Sequence, residues 1–575
     1  MKTLIQYLGN YKKESVLGPL FKLLEASFEL VVPLVVAKMI DVGIANQDRT
    51  YIILMGGLLI GLGIIGLTCS ITAQYFAAKA ATGFGTEVRN QLFVHLNQLS
   101  YEELDQVGTA TLITRMTSDI NQVQSGVNMV LRLFLRSPFI VIGAMIMAFT
   151  VDRESALVFV VTIPILSLII FGIMRLSMPF YQKVQQRLDH ITLATRENLV
   201  GVRVIRALNQ QKREEEQFEK QSFLLLHFQQ YVGRISGLLN PMTYIVINAA
   251  IIALLWIGGE KVNTGHLTQG EVVALVNYMS QILVELIKLA NLIVTITKGL
   301  ACANRISELF HMTPSIVDQQ QEAIKGIDDE PIIQFSHVSF SYGNSSEDAL
   351  SDIHFEVKRG QTIGIIGGTG SGKTSLVQLI PRLYEVCEGA VYVHGRNVKE
   401  YPQRQLRAMI GLVPQKAVLF KGTIKDNLRW GKKNATQEEM ERAMVLAQAG
   451  DIMEMYGLDY DIEQGGKNLS GGQRQRLTIA RAFVKQPEIL IFDDSASALD
   501  YATEARLRRA IEEETKGMTV LIVSQRASSV RFADQIVVLD DGQIVGLGTH
   551  ETLIKECHVY QEICRSQLTK EEECS

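Results

Sequence analysis

The chain has little that would staple a small secreted domain together. Its six cysteines, Cys69, Cys302, Cys387, Cys557, Cys564 and Cys574, include no C-x-x-C pair, and none falls in a turn expected outside a membrane. Neither a disulfide framework nor a zinc site is indicated. An excess of one charge is also missing. Lys plus Arg number 56 against 60 Asp plus Glu, a formal net charge of -4, so there is no electrostatic ground for a nucleic-acid partner. No low-complexity tract or short repeat stands out. Met1–Val16 lacks a small-residue cleavage site, and no cleaved signal peptide is expected. Long apolar runs are absent from one half only: they fill the chain up to about residue 300 and nearly vanish beyond it. A chain of 575 residues exceeds a single core. The composition shift therefore divides it into a membrane half and a soluble half.

Six segments reach the roughly 17–25 residues that a spanning helix needs. They are about Leu17–Val42, Tyr51–Ala78, Met129–Val151, Ala156–Pro179, Leu238–Ile257 and Val272–Thr297. The connections after the first, third and fifth are short turns, each with a single cation: Arg49, Arg153 and Lys261. Those after the second and fourth are long, read as helical, and carry Arg89, Arg115, Lys183, Arg187, Arg196, Arg203, Arg206, Lys212 and Arg213. That asymmetry places both termini and both long connections in the cytoplasm of a multi-pass protein of the cell membrane. Charges also sit inside the spans. Lys22, Glu25 and Glu29 share one helix face, Glu285 and Lys288 pair at i, i+3, and Arg132 and Arg136 open the third span. Two readings stand open: a substrate pathway lined by Glu25, Glu29, Asn277, Gln281 and Glu285, or internal salt pairs with snorkelling cations.

The soluble half begins after a polar stretch, 312–330, that reads as a linker. Its central feature is Gly367-Gly368-Thr369-Gly370-Ser371-Gly372-Lys373-Thr374, between the apolar strand Thr362–Ile366 and a helix expected from Ser375. In a strand–loop–helix setting, G-x-x-x-x-G-K-[ST] wraps a polyphosphate with backbone N–H groups. Its lysine reaches the β- and γ-phosphates, and its hydroxyl binds Mg²⁺. Two short strands, Ile332–Phe335 and Val338–Tyr342, precede it, and Tyr342 is spaced to stack on a base. Gln415 follows the strand Met409–Val413, where its amide oxygen can reach a metal or a water. Leu469-Ser470-Gly471-Gly472-Gln473 opens a helix, Arg474–Val484, with Ser470 as its N-cap. Ile489–Asp493 is an apolar strand ending in a carboxylate suited to Mg²⁺. Ser497-Ala498-Leu499-Asp500 follows it, then a buried strand Thr519–Ser524 with Gln525 after it, and a hairpin at Asp541-Gly542.

These motifs, in this order, resemble the nucleotide-binding domain of an ATP-binding-cassette transporter, and the six spans with two long cytoplasmic connections resemble the membrane domain of a type IV exporter. The resemblance implies an α-helical six-helix transmembrane domain (1–311) fused through the linker to an α/β P-loop domain (331–568, a RecA-like core with a helical subdomain) and a polar tail, 569–575. It makes Gly367–Thr374 the Walker A loop, with Ser375 beside it, Tyr342 the A-loop, Gln415 the Q-loop, Leu469–Gln473 the signature, Asp493 the Walker B carboxylate and Ser497–Asp500 the D-loop. It implies ATP and Mg²⁺ as cofactors. It also implies a homologous half-transporter as partner, with ATP held between the Walker motifs of one chain and the signature of the other. Regions near Glu103–Thr114 and Val200–Leu208 resemble coupling helices. Two positions depart from the family. The catalytic glutamate after the Walker B Asp is here Asp494, and the switch histidine is Gln525. With its own site altered and its signature intact, the chain resembles the degenerate-site subunit of heterodimeric bacterial multidrug exporters. The function expected is ATP-driven export of small, amphipathic or drug-like molecules. The rival readings are a lipid or peptide exporter, or a homodimer with two slow sites.

Overall fold

The computed structural model describes residues 2–318, 331–343, 347–495, 499–514 and 517–567. The chain divides into two compact units, Met1–Asn97 with Ala110–Met312, and Gln98–Thr109 with Thr313–Ser575.

The first unit is a bundle of long helices. Among the described residues, five of them are long and apolar enough to cross a membrane: Arg49–Leu96, Thr109–Val151, Arg153–Ala207, Gln211–Asn263 and Gln269–His311. Apolar side chains such as Leu168 (75% exposed) and Trp256 (76% exposed) point away from the bundle, which lipid favours and water does not. The helix over the first expected span, Lys12–Lys38, has 27 residues. It falls outside that set of five because Lys22, Glu25 and Glu29 interrupt its apolar stretch. The spans do not stop at membrane length. Arg153–Ala207 runs unbroken for 55 residues, so the long connections are continuations of the spanning helices. The short turns are pinned by carboxylates. Asp41 accepts from Thr268 Oγ1 at 2.6 Å and from the Gly270 N–H at 2.7 Å, and Asp152 accepts from Lys261 at 2.7 Å.

Lys22, Glu25, Glu29, Arg136, Glu285 and Lys288 are paired inside this unit, whereas the Arg132 Nε is buried without a partner among the described residues. Lys22 donates to Glu25 at 2.5 Å and to Ser70 Oγ at 3.1 Å. Arg136 bridges two helices, with Nη1 on Glu285 Oε1 at 2.7 Å and Nη2 on Glu29 Oε2 at 2.6 Å. Glu285 also takes Ser137 Oγ at 2.7 Å and Lys288 Nζ at 2.8 Å. The Tyr278 hydroxyl donates to the Leu30 carbonyl at 2.7 Å, tying the same helices together. The surrounding core is apolar, with Ala144, Phe159, Leu254 and Met279 fully buried.

The second unit is α/β. Its main sheet runs in the order Gln543–Gly548, Gln535–Asp540, Thr362–Gly367, Thr519–Ser524, Ile489–Asp493, Ile410–Val413, parallel except for the first strand. Strands buried on both faces read as unbroken apolar runs, and ILIF and VLIV are such runs. An antiparallel sheet covers one side, in the order Leu350–Val357, Ile333–Phe340, Glu388–Val393, Arg396–Asn397. The two short strands expected before the phosphate loop are one strand, Ile333–Phe340. A bulge at Ser336-His337, with His337 at φ 47°, breaks its pairing and mimics a boundary. A helical subdomain packs Ile424, Met444, Ile452 and Ile479 around its own core. The Asp541-Gly542 turn is left-handed at both residues, φ 44° and 75°, as a tight hairpin demands.

Arg136 is the hub of the membrane network, with 8% of its side chain exposed. Replacing it leaves buried Glu285 with Lys288 and Ser137 alone. Arg136→Met is expected to cost about 3 kcal/mol, and Arg136→Met with Glu285→Met clearly less, because only the single change strands a buried carboxylate. Thermal unfolding in detergent measures both. Equal losses in the two variants would mean that pairing contributes nothing.

Candidate nucleotide site

Three neighbouring parallel strands end at the same edge of the main sheet. Val523 lies opposite Asp493, and Ser524 lies opposite Ile366. That register brings the glycine loop, the Asp493-Asp494 pair and Gln525 side by side. The loop turns through left-handed glycines, Gly370 at φ 87° and Gly372 at φ 90°, and a Cβ on Gly372 would strike the Ala349 carbonyl at 2.6 Å. The helix after it, Lys373–Leu379, starts two residues earlier than expected. Lys373 donates to the Gly367 carbonyl at 3.0 Å and to Ser371 Oγ at 3.3 Å, so its ammonium is held over the loop. Burial pushes the Lys373 pKa down, and the charges of Asp494 and Asp493 oppose that shift.

Thr374 Oγ1 donates to Asp493 Oδ1 at 2.9 Å, and Asp493 is 3% exposed. Burial raises the Asp493 pKa, against the Thr374 hydrogen bond. A hydroxyl and a carboxylate meeting beside a phosphate loop are the hard oxygen donors that Mg²⁺ takes. The residues therefore fit that ion, Thr374 and Asp493 would hold it, and its chemistry would be charge neutralisation on a polyphosphate. Tyr342 and Ser375 are hydrogen-bonded through their hydroxyls at 2.9 Å, which joins the expected base-stacking residue to the loop helix.

Asp494 sits in left-handed backbone, φ 43°, with its N–H on the Val523 carbonyl at 3.0 Å. Its Oδ2 accepts from Gln415 Nε2 at 3.2 Å and from Gln525 Nε2 at 3.5 Å. The three residues singled out in the sequence thus converge on one carboxylate oxygen. Burial raises the Asp494 pKa first of all; the Gln415 hydrogen bond and the Lys373 charge pull it back. The Gln415 amide nitrogen faces this carboxylate.

The second motif lies elsewhere in the unit. Ser470 caps the helix Gly471–Val484, accepting from the Gln473 N–H at 3.3 Å, while Gln473 Oε1 accepts from the Ser470 N–H at 2.9 Å. The helix begins three residues before the expected Arg474, because the glycines form its first turn. The Leu469 side chain enters the core of the subdomain. Ser470, Gly472 and Gln473 line an open cavity of about 630 Å³ together with Leu499, Asp500 and Arg476. No residue of the glycine loop lines it. Ser497 and Ala498 lie outside the described residues. Arg476 was not singled out in the sequence; it holds Asp451 at 2.6 and 3.0 Å at the cavity wall. Its i+4 spacing from Gly472 is the signal that would have found it.

Residues 15–286 match the ABC transporter transmembrane region, and residues 350–497 match the family described as ABC transporter. Over 573 residues the chain is 36% identical to the uncharacterized ABC transporter ATP-binding protein YfiB of Bacillus subtilis, with 99% of each chain covered. The chain belongs to the ABC transporter family. It is also 32% identical, over 84% of each chain, to the ATP-dependent lipid A-core flippase of Desulfotalea psychrophila. The fold is that of a solved bacterial Atm1-family ABC exporter with ATP bound, at a TM-score of 0.81 and 22% identity, covering 97% of this chain and 99% of that one. This ABC exporter therefore joins a membrane-spanning helical domain to an ATPase domain that drives transport.

The ABC exporter's ATPase unit also includes a short helix from the first half of the sequence, Tyr101–Val107, which overlaps one of the two regions that resemble coupling helices. Ser100 and Glu103 form its capping box, and Glu103 Oε1 accepts from the Ser315 N–H at 3.0 Å. Asp105 accepts from the Tyr384 hydroxyl at 2.6 Å, and the Tyr384 ring stands edge-on to Tyr342 at 5.2 Å. Tyr384 and Asp105 carry no sequence signal, since 279 residues separate them. In the transporter's membrane unit, a cavity of about 470 Å³ is lined by Glu29, Asn277, Gln281 and Glu285, together with Val32, Val36, Val284 and Lys288. Four of the five pathway residues expected from the sequence meet there. Glu25 does not line it and pairs with Lys22 instead. The salt pairs of the second reading are present, and four residues named in the first share one cavity.

The Asp494 environment has a pH consequence. Its folded pKa lies above the ordinary carboxyl value, so the stability it contributes is present at low pH and lost as pH rises through the folded pKa. Asp494→Asn is expected to raise the unfolding temperature of the nucleotide-free protein at neutral pH, with the gain shrinking on acidification through the carboxyl range. Calorimetric scans at neutral and acidic pH check this. A gain that grew on acidification would contradict the burial argument.

Proposed function

We propose that this exporter works as one subunit of a heterodimer in the cytoplasmic membrane, both termini inside, and expels small amphipathic or drug-like molecules. Its own ATP site is degenerate, and its signature serves the partner's site. The observation that supports this most is Asp494: the carboxylate at the position of the family's catalytic base is an aspartate whose Oδ2 takes amide donors from Gln415 and Gln525. Aspartate is one methylene shorter than glutamate, and displacing a base by about 1 Å from the attacking water costs on the order of a hundredfold. Gln525 can hydrogen-bond a γ-phosphate but brings no positive charge to the transition state.

In this reading Tyr342 stacks on the base, Gly367–Thr374 with Ser375 wraps the phosphates, and Thr374, Asp493 and Gln415 surround Mg²⁺. Ser470–Gln473 and the segment ending at Leu499-Asp500 face the partner's nucleotide. The separate cavity at Ser470 supports that division, because the glycine loop of the same chain takes no part in it. The helix Lys12–Lys38 is the sixth span, made tolerable to lipid by its ion pairs. Leu199, Val200, Val204 and Leu208 expose 60–82% of their surface around a turn between long helices, which suits a tip that docks on an ATPase domain. The cavity at Glu29 and Gln281 is this chain's share of the substrate pathway. A lipid exporter remains the second reading of the substrate, favoured by the valine-lined wall of the same cavity.

The comparison that tests the asymmetry is made within the one chain, against an unaltered partner. Ser470→Ala with Gly471→Asp is expected to abolish most ATPase activity and transport, whereas Asp494→Ala changes little. A Cβ at Gly471 meets nothing within 4 Å, so the aspartate does not disrupt this chain's own fold. Its effect is like-charge repulsion against a phosphate in a desolvated site. Asp494→Glu with Gln525→His is expected to raise turnover or uncouple it from transport. Steady-state ATPase and transport in proteoliposomes measure all three. If Asp494→Ala proved as damaging as the signature change, the asymmetric mechanism would fall, and the homodimer with two slow sites would take its place.

A further inference from the structure

The charges around the membrane cavity differ in how far they are already committed. Glu285 is spent: its two oxygens take Arg136, Lys288 and Ser137, and 3% of its side chain is exposed. The two terminal nitrogens of Arg136 are spent as well, on Glu285 and Glu29, and only 8% of the side chain is exposed, with its Nε buried away from the cavity's polar groups among the described residues. Glu29 and Lys288 are different. Among the described residues Glu29 accepts one hydrogen bond, on Oε2, and 40% of its side chain is exposed. Lys288 makes one hydrogen bond, to Glu285, with 41% exposed. Both line the same cavity. The cavity thus offers one carboxylate oxygen and one ammonium with free donors, while the two carboxylates and two cations of the cluster cancel. Asn277, Ser280 and Gln281 add neutral polar groups, and the Gln281 amide oxygen is buried without a partner. Val32, Val36 and Val284 supply an apolar wall.

We infer that this chain's share of the cavity selects a zwitterionic amphiphile, its ammonium at Glu29, its anionic group at Lys288 and its apolar part along the valines. This rests on the reading of the cavity as the substrate pathway. A lipophilic monocation would meet a cluster without net charge whose exposed carboxylate already has an arginine, so it gains little there and leaves Lys288 facing it. A monoanion meets the mirror problem at Glu29. Only a head carrying both charges satisfies both groups without leaving a like charge opposed in a low-dielectric site.

The test uses the reconstituted transporter and three amphiphiles with the same short alkyl tail and different heads: a quaternary ammonium, a methyl phosphate diester and a phosphoethanolamine. The readout is the concentration giving half-maximal ATPase stimulation. The phosphoethanolamine is expected to act at roughly tenfold lower concentration than either single-charge head. Lys288→Gln is expected to move the preference to the ammonium, and Glu29→Gln to the phosphate. In Lys288→Gln, Glu285 keeps Arg136 and Ser137, so the network is retained. A wild type that prefers the quaternary ammonium, or a head preference that neither substitution moves, overturns the inference. A cavity-filling Val284→Trp separates the two levels. If it abolishes stimulation while the charge variants leave the preference unchanged, the pathway stands and the zwitterion falls. If all three variants leave every profile unchanged, the cavity is not on the pathway and both fall.

Discussion

The nucleotide site depends on the parallel pairing of three strands, Thr362–Gly367, Thr519–Ser524 and Ile489–Asp493. Parallel strands all end at one edge, so whatever follows each of them is delivered to the same place. The glycine loop, Gln525 and Asp494 are those three continuations. A slip of one residue in either ladder would turn Asp493 to the other face and part it from Thr374, which now donates to it at 2.9 Å. The register is held by apolar burial on both faces, with Ile365, Ile491 and Leu521 buried in one core and Ile366, Leu490 and Val520 buried in the others. The chemistry at the edge is therefore positioned by the hydrophobic core beneath it.

The membrane unit solves the opposite problem. Its charges must be present in lipid without being exposed to it. Arg136 does this for two helices at once, since its guanidinium presents two separate nitrogens to Glu29 and Glu285. A lysine could not span both with the same planar geometry. The consequence reaches the cavity: because Arg136 consumes one oxygen of each carboxylate, what remains for a ligand is set by the pairing rather than by the number of acids.

These two solutions explain what the sequence could reveal. Local features were legible. The strand–loop–helix at Gly367, the cap at Ser470, the strand Ile489–Asp493 and the left-handed turn at Asp541-Gly542 each depend on neighbours within a few residues, and each is read from them. Elements whose identity depends on distant partners were not. The bulge at Ser336-His337 divided one strand into two, since its continuity comes from pairing with Leu350–Val357 and Glu388–Val393. Asp105 meets Tyr384 across 279 residues with no pattern to announce it. Glu25 shares a helix face with Glu29, yet Lys22 draws it away from the cavity, and only the packed bundle decides which of the two looks inward.

The contrast between the units also bears on where function is stored. In the membrane unit Glu25, Glu29, Glu285 and Asp152 have basic partners, and the cluster around Arg136 carries no net charge to be compensated. At the sheet edge burial works against the charged forms of Lys373, Asp493 and Asp494 together. Protein groups alone hold these three in a desolvated place at a cost in stability. A polyphosphate with its cation would add further counter-charges beside them. Its binding energy is then added to the stability of the folded unit, in proportion to the logarithm of nucleotide concentration over its dissociation constant. Sites that violate local electrostatic economy while the rest of the fold obeys it are where ligands act. By that criterion the strain lies at the sheet edge, while the charge cluster beside the membrane cavity is already neutral.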